Sequence, residues 1–247
     1  MTTLGARRFN PDKDDSSLVI EQNNVSGRVS YWHGGAHQSV ADRNGVSLAD
    51  YIHAMHGFLR QTRARDVLMI GCAGGTLATM LHRDGVNVII VDVDPRSFAL
   101  ARRYFHLPEA VTCHAADGAE FLRRTRARYD GIVLDAYQGG DFPQVFADAS
   151  YLAAVKMHLN GANALYLENV LVNDDEDRTP DNRARMLQKI WPDIRLLDCD
   201  GWVDRNAVLA AGAVRGLRRP KVIMPPARGA RKLERDLDAL TFRKLRS

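Results

Sequence analysis

The chain has 247 residues, of which 45% are hydrophobic and 26% are charged, and its formal net charge at pH 7 is +4. These values describe an ordinary globular protein, and they exclude collagenous, disordered and disulfide-stapled chains. Three cysteines, Cys72, Cys113 and Cys199, show no paired spacing, which favours a reducing compartment. The N-terminus lacks the apolar stretch of a secretory signal, and no apolar run approaches the roughly 18 residues of a membrane span. We therefore expect a cytoplasmic protein without a membrane partner.

Basic residues are concentrated at the C-terminus. Positions 215–247 contain eleven Lys or Arg and three acids, so the rest of the chain carries a net charge of −4. This basic segment has no interleaved aromatic residues of the kind that stack on bases. We therefore expect a solvated tail and no nucleic-acid partner. The acidic body favours a cationic substrate over an anionic one.

The N-terminal part of the sequence predicts a small β-hairpin. Two short β-prone runs, at 18–22 and 28–32, lie on either side of Asn23-Asn24, a pair typical of turns. We expect residues 1–45 to form a tail and this hairpin, which is too small to be stable alone and must pack on something. Apolar residues at helical spacing then predict a helix over about 48–62.

From residue 67 onward, strands and helices alternate. The sequence predicts seven short strands, at 67–70, 86–91, 110–114, 131–134, 164–167, 194–197 and 207–211. Alternation of this kind implies an α/β fold with a mainly parallel, doubly wound sheet, whose ligands bind at the carboxyl ends of the strands. The last two strands have no helix between them and predict an antiparallel C-terminal hairpin at the sheet edge. This seven-stranded, Rossmann-like unit, expected over 46–214, has the plan of the class I S-adenosylmethionine-dependent methyltransferase fold.

Three of the predicted strands end in residues suited to a nucleoside. The loop 71–75, Gly-Cys-Ala-Gly-Gly, permits a tight turn and close approach of backbone N–H groups, although it is not the G-x-G-x-x-G fingerprint. Asp92 ends the second strand, where a carboxylate can accept both ribose hydroxyls. Asp117 follows the third strand and has two interpretations: it contacts an adenine amino group, or it forms a capping box with Glu120.

Asp135 ends the fourth strand and is followed by Ala136-Tyr137 and the run Gln138-Gly139-Gly140. A carboxylate at the end of a central strand can deprotonate an amine or hold a cation, and a turn or cap role is the alternative. The two glycines predict a hinge that closes over an acceptor. Two histidine pairs in the sequence lack cysteine or carboxylate partners at ligand spacing, so we predict no metal site.

Together these residues resemble the spermidine synthase family of aminopropyltransferases, and most closely its divergent spermidine synthase-like branch. The motifs that carry the resemblance are VLMIGCAGGTLA (67–78), VDVDP (91–95), ADG (116–118), IVLDAY (132–137) and DGWVDRNAVLAAG (200–212). Gln38 and the run Tyr51-Ile-His-Ala-Met55 are similar to the stretch where the family places a glutamine and a Tyr-His-Glu-Met run.

The resemblance implies a nucleoside co-substrate, S-adenosylmethionine or its decarboxylated form, and a small-molecule amine as acceptor, with no metal. It assigns nucleoside binding to Gln38, Gly71, Gly74, Gly75, Asp92 and Asp117. It assigns catalysis to Asp135 as the base, with Tyr137 as an orienting hydroxyl, and contacts with the acceptor to His53, Asp135 and Tyr137. Hairpins like the one predicted here contribute to dimer contacts in the family, so we expect a homodimer.

The sequence also departs from the family pattern at acidic positions. Gly74 replaces an aspartate that holds the amine of the aminopropyl group, Gln138 replaces a second aspartate, and Ala54 replaces a glutamate. The resemblance therefore preserves nucleoside recognition and erodes polyamine recognition.

Three functions are compatible with this pattern. The first is aminopropyl transfer, in which a deprotonated amine attacks the carbon next to a sulfonium and a methylthioadenosine-type product leaves. The second is methyl transfer from intact S-adenosylmethionine to a small molecule, which the loss of an acid at Gly74 favours. The third is a non-catalytic nucleoside-binding protein, which Gln138 and Ala54 favour. Preference for the decarboxylated donor, for the intact donor, or for neither distinguishes the three.

Overall fold

The computed structural model describes residues 5–13, 15–137 and 141–246, in which twelve strands form two β-sheets. The small sheet contains β1 (Ala6–Phe9), β2 (Leu18–Asn23), β3 (Val29–His33) and β4 (Ala36–Ala41). The large sheet contains β5 (Asp66–Ile70), β6 (Asn87–Asp92), β7 (Thr112–Ala115), β8 (Gly131–Leu134), β9 (Leu165–Val172), β10 (Ile194–Asp198), β11 (Arg205–Gly212) and β12 (Thr241–Arg243). The α-helices are α1 (Asp50–Gln61), α2 (Thr76–Arg83), α3 (Arg96–Phe105), α4 (Gly118–Arg124), α5 (Ala149–His158), α6 (Thr179–Gln188) and α7 (Ala230–Ala239). Within these ranges, no helix has both the length and the apolar character to cross a membrane.

The large sheet has the strand order β12-β10-β11-β9-β8-β5-β6-β7. Strands β5 to β9 run parallel to their neighbours within this set, whereas β11 is antiparallel to β9 and to β10. The chain leaves β5 towards β6 and β7, and then returns to the opposite side of β5 for β8 and β9. Such a reversal opens a crevice at the carboxyl ends of the central strands. The predicted α/β fold class, with its doubly wound, Rossmann-like parallel sheet, is confirmed.

Helices cover both faces of the parallel strands. Val67 and Met69 of β5 pack in one apolar cluster with α1 and α2, whereas Leu68 and Ile70 pack in a second cluster with α4 and α5. Because successive strand residues point to opposite faces, a strand that is buried on both sides is apolar throughout. For this reason the apolar run at 67–70 predicted β5 correctly.

The N-terminal part forms a four-stranded antiparallel sheet, which is larger than the predicted hairpin. The predicted runs correspond to β2 and β3, and β1 and β4 extend the sheet on either side. Its apolar face, which includes Leu18 and Ile20, is covered by Leu100 and Phe105 of α3. The packing that the hairpin was predicted to need is therefore supplied by the same chain.

The segment 215–247 differs from the solvated tail that its charge led us to expect. Leu233 and Leu237 of α7 and the following Leu240 are buried, and α7 packs against α1. Strand β12 then pairs antiparallel with β10. The large sheet consequently has eight strands rather than the predicted seven, and β12 occupies the edge that we assigned to the β10–β11 hairpin. Three apolar residues at helical spacing anchor an otherwise charged helix.

Candidate functional site

A main cleft of about 340 Å³ opens at the carboxyl ends of β5, β6, β7 and β8. Six of the predicted site residues line it: Gln38, Gly71, Asp92, Asp117, Asp135 and Tyr137. Tyr31 and His33 of β3 line the same cleft, so the small sheet forms one of its walls. The structure therefore brings most of the predicted site together at the crevice that the strand order creates.

Gly71 fixes the path of the loop between β5 and α2. Its φ angle is +99°, and a Cβ atom at this position would lie 2.0 Å from the carbonyl oxygen of Asp135. The Gly71 N–H donates to the carbonyl of Val91 at 2.9 Å, and the Asp135 N–H donates to that of Ile70 at 2.9 Å. Only glycine combines this φ with so close an approach. Gly71 thus links the end of β5 to the ends of β6 and β8.

Asp92 connects the end of β6 to the glycine loop. Its Oδ2 accepts a hydrogen bond from the Cys72 N–H at 2.8 Å, and its Oδ1 accepts one from the Asp94 N–H at 2.8 Å. Burial raises the pKa of Asp92, and these backbone N–H groups partly oppose that rise. A carboxylate oxygen has two lone pairs, so both oxygens retain capacity for a ribose hydroxyl. Asp94 instead forms a bidentate pair with Arg96, which donates to Oδ1 at 2.9 Å and to Oδ2 at 2.8 Å.

Asp117 combines the two interpretations that its sequence left open. Its Oδ1 accepts a hydrogen bond from the Glu120 N–H at 2.8 Å and caps α4. The same residue lines the main cleft. Because one carboxylate oxygen caps the helix, the other is available to a ligand, and the two roles do not exclude each other.

Asp135 lies where the main cleft meets a second cavity. Asn169 donates from Nδ2 to Asp135 Oδ1 at 2.8 Å, and the Tyr51 hydroxyl donates to Asp135 Oδ2 at 3.3 Å. Burial raises the pKa of Asp135 above its ordinary value, and the hydrogen bonds from Asn169 and Tyr51 partly oppose the rise. A carboxylate with a raised pKa is a better proton acceptor than an ordinary one.

The second cavity, which we call the side compartment, has a volume of about 130 Å³. It shares Gln38, Ala73, Asp135 and Tyr137 with the main cleft. Its other polar wall residues are His37, Ser39, Tyr51, Asn169 and Asn206. Two cavities that meet at one carboxylate provide separate spaces for two reactants.

Some predicted residues lie outside these cavities. His53, predicted to contact the acceptor, is fully buried in α1, and its Nε2 lies 2.8 Å from the carbonyl oxygen of Ser47. Burial lowers the pKa of His53 to about 4. Gly74 and Gly75 support the loop rather than line the main cleft: the Gly74 N–H donates to Ser39 Oγ at 3.0 Å, and Gly75 adopts a φ of +60° directly before α2.

Tyr137 lines both cavities, but its hydroxyl is engaged elsewhere. It donates to the carbonyl of Asn169 at 2.9 Å and accepts from the Leu171 N–H at 3.0 Å. The hydroxyl that donates to Asp135 belongs to Tyr51, and the orienting role predicted for Tyr137 stays a prediction. The predicted hinge at Gln138, Gly139 and Gly140 lies outside the described residues.

Tyr51 and Asn169 are partners of Asp135 that the sequence did not predict. In the sequence, Tyr51 is marked only as the first residue of the run that is similar to the family's Tyr-His-Glu-Met run. Asn169 was missed because the predicted strand ended at Leu167, where Glu168-Asn169 interrupts the apolar run. In the structure β9 continues to Val172, and the buried Glu168 is neutralised by Arg183 of α6 at 2.6 Å. A polar pair inside a strand-length segment was the available clue.

The site is acidic. The carboxylates that line the main cleft are Asp92, Asp94, Asp117 and Asp135, and the described walls of both cavities contain no Lys or Arg. Among the described residues, no group of three or more potential metal ligands occurs. The walls therefore favour a cationic ligand. The glycine loop and the strand-end acids lie at the edge where a doubly wound sheet of the class I methyltransferase fold binds its ligand.

The comparisons with known proteins agree with this class. A probable polyamine aminopropyl transferase of Bifidobacterium longum is 27% identical over 115 residues, which cover 46% of this chain and 26% of that protein. A polyamine aminopropyltransferase of Chromobacterium violaceum is 35% identical over 96 residues, which cover 36% of each protein. An N-terminal histidine N-methyltransferase of Emericella nidulans is 34% identical over 97 residues, which cover 37% of this chain and 17% of that protein. The chain thus matches well under half the length of these curated relatives. No family model matches the chain.

Solved structures extend the likeness over nearly the whole chain. A probable spermidine synthase from Corynebacterium glutamicum superposes with a TM-score of 0.73 at 15% identity, over 96% of this chain and 91% of that one. A spermidine synthase in complex with the transition-state analogue AdoDATO gives a TM-score of 0.61 at 19% identity, over 84% of this chain and 71% of that one. At such identities these structures establish the fold. The predicted resemblance to the spermidine synthase-like family, within the methyltransferase fold, is confirmed.

Proposed function

We propose that this protein is a spermidine synthase-like transferase, which transfers an aminopropyl group from decarboxylated S-adenosylmethionine to a small-molecule amine. The observation that carries the proposal is the position of Asp135, which lines both the main cleft and the side compartment. A direct displacement needs a base between the two reactants and firm positioning of both. The curated relatives named polyamine aminopropyltransferase support the same choice.

The main cleft is proposed to hold the nucleoside. Asp92 accepts the ribose hydroxyls with its remaining lone pairs, and Asp117 accepts the adenine amino group. Gln38 lies on the side of the cleft that adjoins the side compartment, where it contacts the part of the nucleoside nearest the reacting carbon. Gly71 holds the loop close to the strand ends, which leaves room for the ligand above them. The acidic walls favour the positive charge of a sulfonium.

Asp135 is proposed to take the proton of the acceptor amine. The donor supplies a carbon that is activated by a sulfonium. As the amine nitrogen bonds to this carbon, the carbon–sulfur bond breaks, its electron pair stays on sulfur, and the nitrogen's proton passes to Asp135. Tyr51 and Asn169 hold the carboxylate in place through one hydrogen bond to each oxygen. Among the described residues, these are the two hydrogen bonds that the Asp135 carboxylate accepts.

Two features favour the decarboxylated donor over the intact one. An intact donor carries a carboxylate, and the described walls of both cavities contain no Lys or Arg to pair with it. Backbone N–H groups of the glycine loop are an alternative anion site. Four of them already donate within the protein, those of Gly71, Cys72, Gly74 and Gly75.

Calorimetry and an Asp135→Asn variant test the proposal. We expect decarboxylated S-adenosylmethionine to bind more tightly than the intact form. Asp135→Asn preserves size but removes proton acceptance, so turnover should fall by about 10²–10⁴-fold while donor affinity stays nearly unchanged. Asp193→Asn, which removes the same charge from an exposed surface pair with Arg215, is the matched control. Full turnover in Asp135→Asn contradicts the catalytic assignment.

Methyl transfer from intact S-adenosylmethionine to a small molecule is the second candidate. The match to an N-terminal histidine N-methyltransferase favours it, as does glycine at position 74. The product identifies the reaction, because methyl transfer leaves S-adenosylhomocysteine whereas aminopropyl transfer leaves methylthioadenosine. Detection of S-adenosylhomocysteine alone would establish this candidate instead.

The proposal includes a cytoplasmic location and a homodimer. All three cysteines, Cys72, Cys113 and Cys199, are free thiols, which fits a reducing compartment. The homodimer is carried over from the family resemblance. The packing of the small sheet on α3 of its own chain removes the need for a partner to cover its apolar face. Light scattering that yields the monomer mass of 27.5 kDa at micromolar concentration would contradict the dimer.

A further inference from the structure

One wall of the main cleft is a short stretch of chain, residues 142–147, which we call the wall segment. Pro143, Val145 and Phe146 of this segment line the cleft. Its regular structure is a single turn of 3-10 helix over Gln144–Ala147. Helices this short are not stable by themselves. Contacts with the rest of the chain must therefore fix the position of the wall segment.

Arg183 of α6 makes such contacts from behind the wall. Its Nη2 donates to the carbonyl oxygen of Phe146 at 3.1 Å, and its Cζ lies 4.6 Å from the centre of the Phe142 ring. Carbonyl groups in the last turn of a helix have no partner within that helix, so the arginine satisfies a group that the short helix leaves open. Phe142 packs edge-on against Phe146 and Tyr137, with ring centres 6.2 Å and 5.8 Å apart. Arg183 is absent from the described walls of both cavities, so it acts on the wall segment rather than on a ligand.

Glu168 of β9 fixes the guanidinium of Arg183 and compensates its charge. The two carboxylate oxygens accept hydrogen bonds from Arg183 at 2.6 Å and 2.9 Å, and the Tyr166 hydroxyl donates to Oε2 at 2.9 Å. Both charged side chains are buried. A bidentate pair holds the planar guanidinium in one orientation. Because the pair is neutral as a whole, it does not repel the sulfonium proposed for the donor.

The same strand also supports the candidate base. Glu168 precedes Asn169, whose Nδ2 donates to Asp135 at 2.8 Å. Successive residues of a strand point to opposite faces of the sheet. The end of β9 therefore supports the wall segment on one face and the Asp135 carboxylate on the other. Because the two contacts lie on opposite faces, a change at Arg183 can alter the wall and leave the base in place.

We propose that Arg183 is a positioning residue for nucleoside binding, which holds the wall segment where its apolar side chains pack against the base of the donor. This inference rests on the proposed function, because it takes the main cleft as the nucleoside site. Arg183 contacts neither the donor nor the reacting atoms in this arrangement. Its loss should therefore weaken donor binding and leave the proton transfer to Asp135 intact.

Arg183→Lys tests the inference. Lysine keeps the charge that Glu168 needs, but it lacks the planar fork that reaches Glu168 and the Phe146 carbonyl together. We expect the Kd of methylthioadenosine, measured by calorimetry, to rise at least about tenfold, which corresponds to about 1.4 kcal/mol. The kcat at saturating decarboxylated S-adenosylmethionine should stay near that of wild type. A merely structural role would lower kcat and the binding stoichiometry, because fewer molecules fold, without a change in Kd. An unchanged Kd overturns the inference.

Arg205→Lys is the matched control. Arg205 of β11 forms another buried ion pair, with Asp198 at 2.7 Å, and it is absent from the described walls of both cavities. The same substitution should therefore leave the Kd of methylthioadenosine unchanged. A rise in Kd as large as that in Arg183→Lys overturns the inference, because it would show that any loss of a buried ion pair weakens binding.

A double variant extends the test to the case in which Arg183→Lys does not fold. Glu168→Met combined with Arg183→Met replaces the buried ion pair by apolar side chains, an exchange that proteins often tolerate. It removes the donor to the Phe146 carbonyl, so Kd should again rise at least about tenfold. Wild-type affinity in this variant overturns the inference, and so does failure of both variants to fold, which would assign the pair to stability alone. Failure of the wild-type protein to bind methylthioadenosine or either donor overturns the proposed function instead.

Discussion

Single carboxylates in this site hold the backbone in place and also line the main cleft. Asp92 holds the glycine loop through the Cys72 N–H, and Asp117 caps α4 through the Glu120 N–H. Each keeps unused acceptor capacity that faces the main cleft. Sequence patterns present such residues as either a cap or a ligand, whereas the geometry allows both. Asp135 differs from them, because the partners of its carboxylate are the side chains of Tyr51 and Asn169 rather than backbone N–H groups.

The raised pKa of Asp135 predicts that this residue destabilises the fold at neutral pH. The folded state binds the Asp135 proton more tightly than the unfolded state does, so the charged carboxylate costs stability above its folded-state pKa. Asp135→Asn should therefore raise the melting temperature at about pH 8, and the gain should narrow as pH is lowered through the folded-state pKa of Asp135 towards the ordinary carboxyl value. A lowered melting temperature at pH 8 would instead indicate a structural role. Asp193→Asn, on the surface, serves as the control.

At the scale of elements, the sequence predicted the parallel core well and its attachments less well. Strands such as β5 and β8 are buried on both faces, so their apolar runs were unambiguous. The predicted strand ended before Glu168, whereas β9 continues through it. Glu168 can be buried there because it pairs with Arg183, which is distant in sequence. The β1 and β4 strands, with mixed polar composition, depend on pairing within the small sheet. Long-range pairing is what local sequence patterns do not contain.

A side chain at Gly71 is expected to displace the loop between β5 and α2 and to destabilise the protein. In Gly71→Ala the alanine must adopt the positive φ of Gly71, which costs about 1–3 kcal/mol of stability. Its Cβ would also overlap the Asp135 carbonyl oxygen. The free energy of unfolding should fall by at least that amount, and donor affinity by at least about tenfold. Gly85→Ala is the matched control, because Gly85 has a φ of +81° with no atom within 4 Å of an added Cβ. Equal effects of the two variants would exclude the overlap as the cause.

At the scale of the whole molecule, an ion-pair network attaches the C-terminal segment to the large sheet. Arg243 of β12 lies 2.9 Å from Asp181 Oδ1 and 2.8 Å from Asp198 Oδ2, and both aspartate side chains are fully buried. Asp198 also pairs with Arg205 at 2.7 Å. The apolar residues of α7 supply burial, whereas this network fixes the register of β12 against β10. The basic segment, which was predicted to be a solvated tail, therefore forms an edge strand of the sheet.

Removal of Arg243 is expected to destabilise the protein in a pH-dependent way. Arg243→Ala leaves two buried carboxylates short of a partner, which costs about 3 kcal/mol, the lower end of the usual range because Asp198 retains Arg205. Burial raises the pKa of Asp181 and Asp198, but hydrogen bonds from arginines outweigh it and lower both values. A lowered folded-state pKa gives stability that is present above the ordinary carboxyl pKa and is lost as pH falls through the folded-state value. The difference in the free energy of unfolding between wild type and Arg243→Ala, measured by urea denaturation, should therefore be largest near neutral pH and shrink in acid. Arg215→Ala, which breaks an exposed pair with Asp193, should change stability by less than about 1 kcal/mol at any pH. A pH-independent loss in Arg243→Ala would show that Arg243 acts through packing rather than through charge.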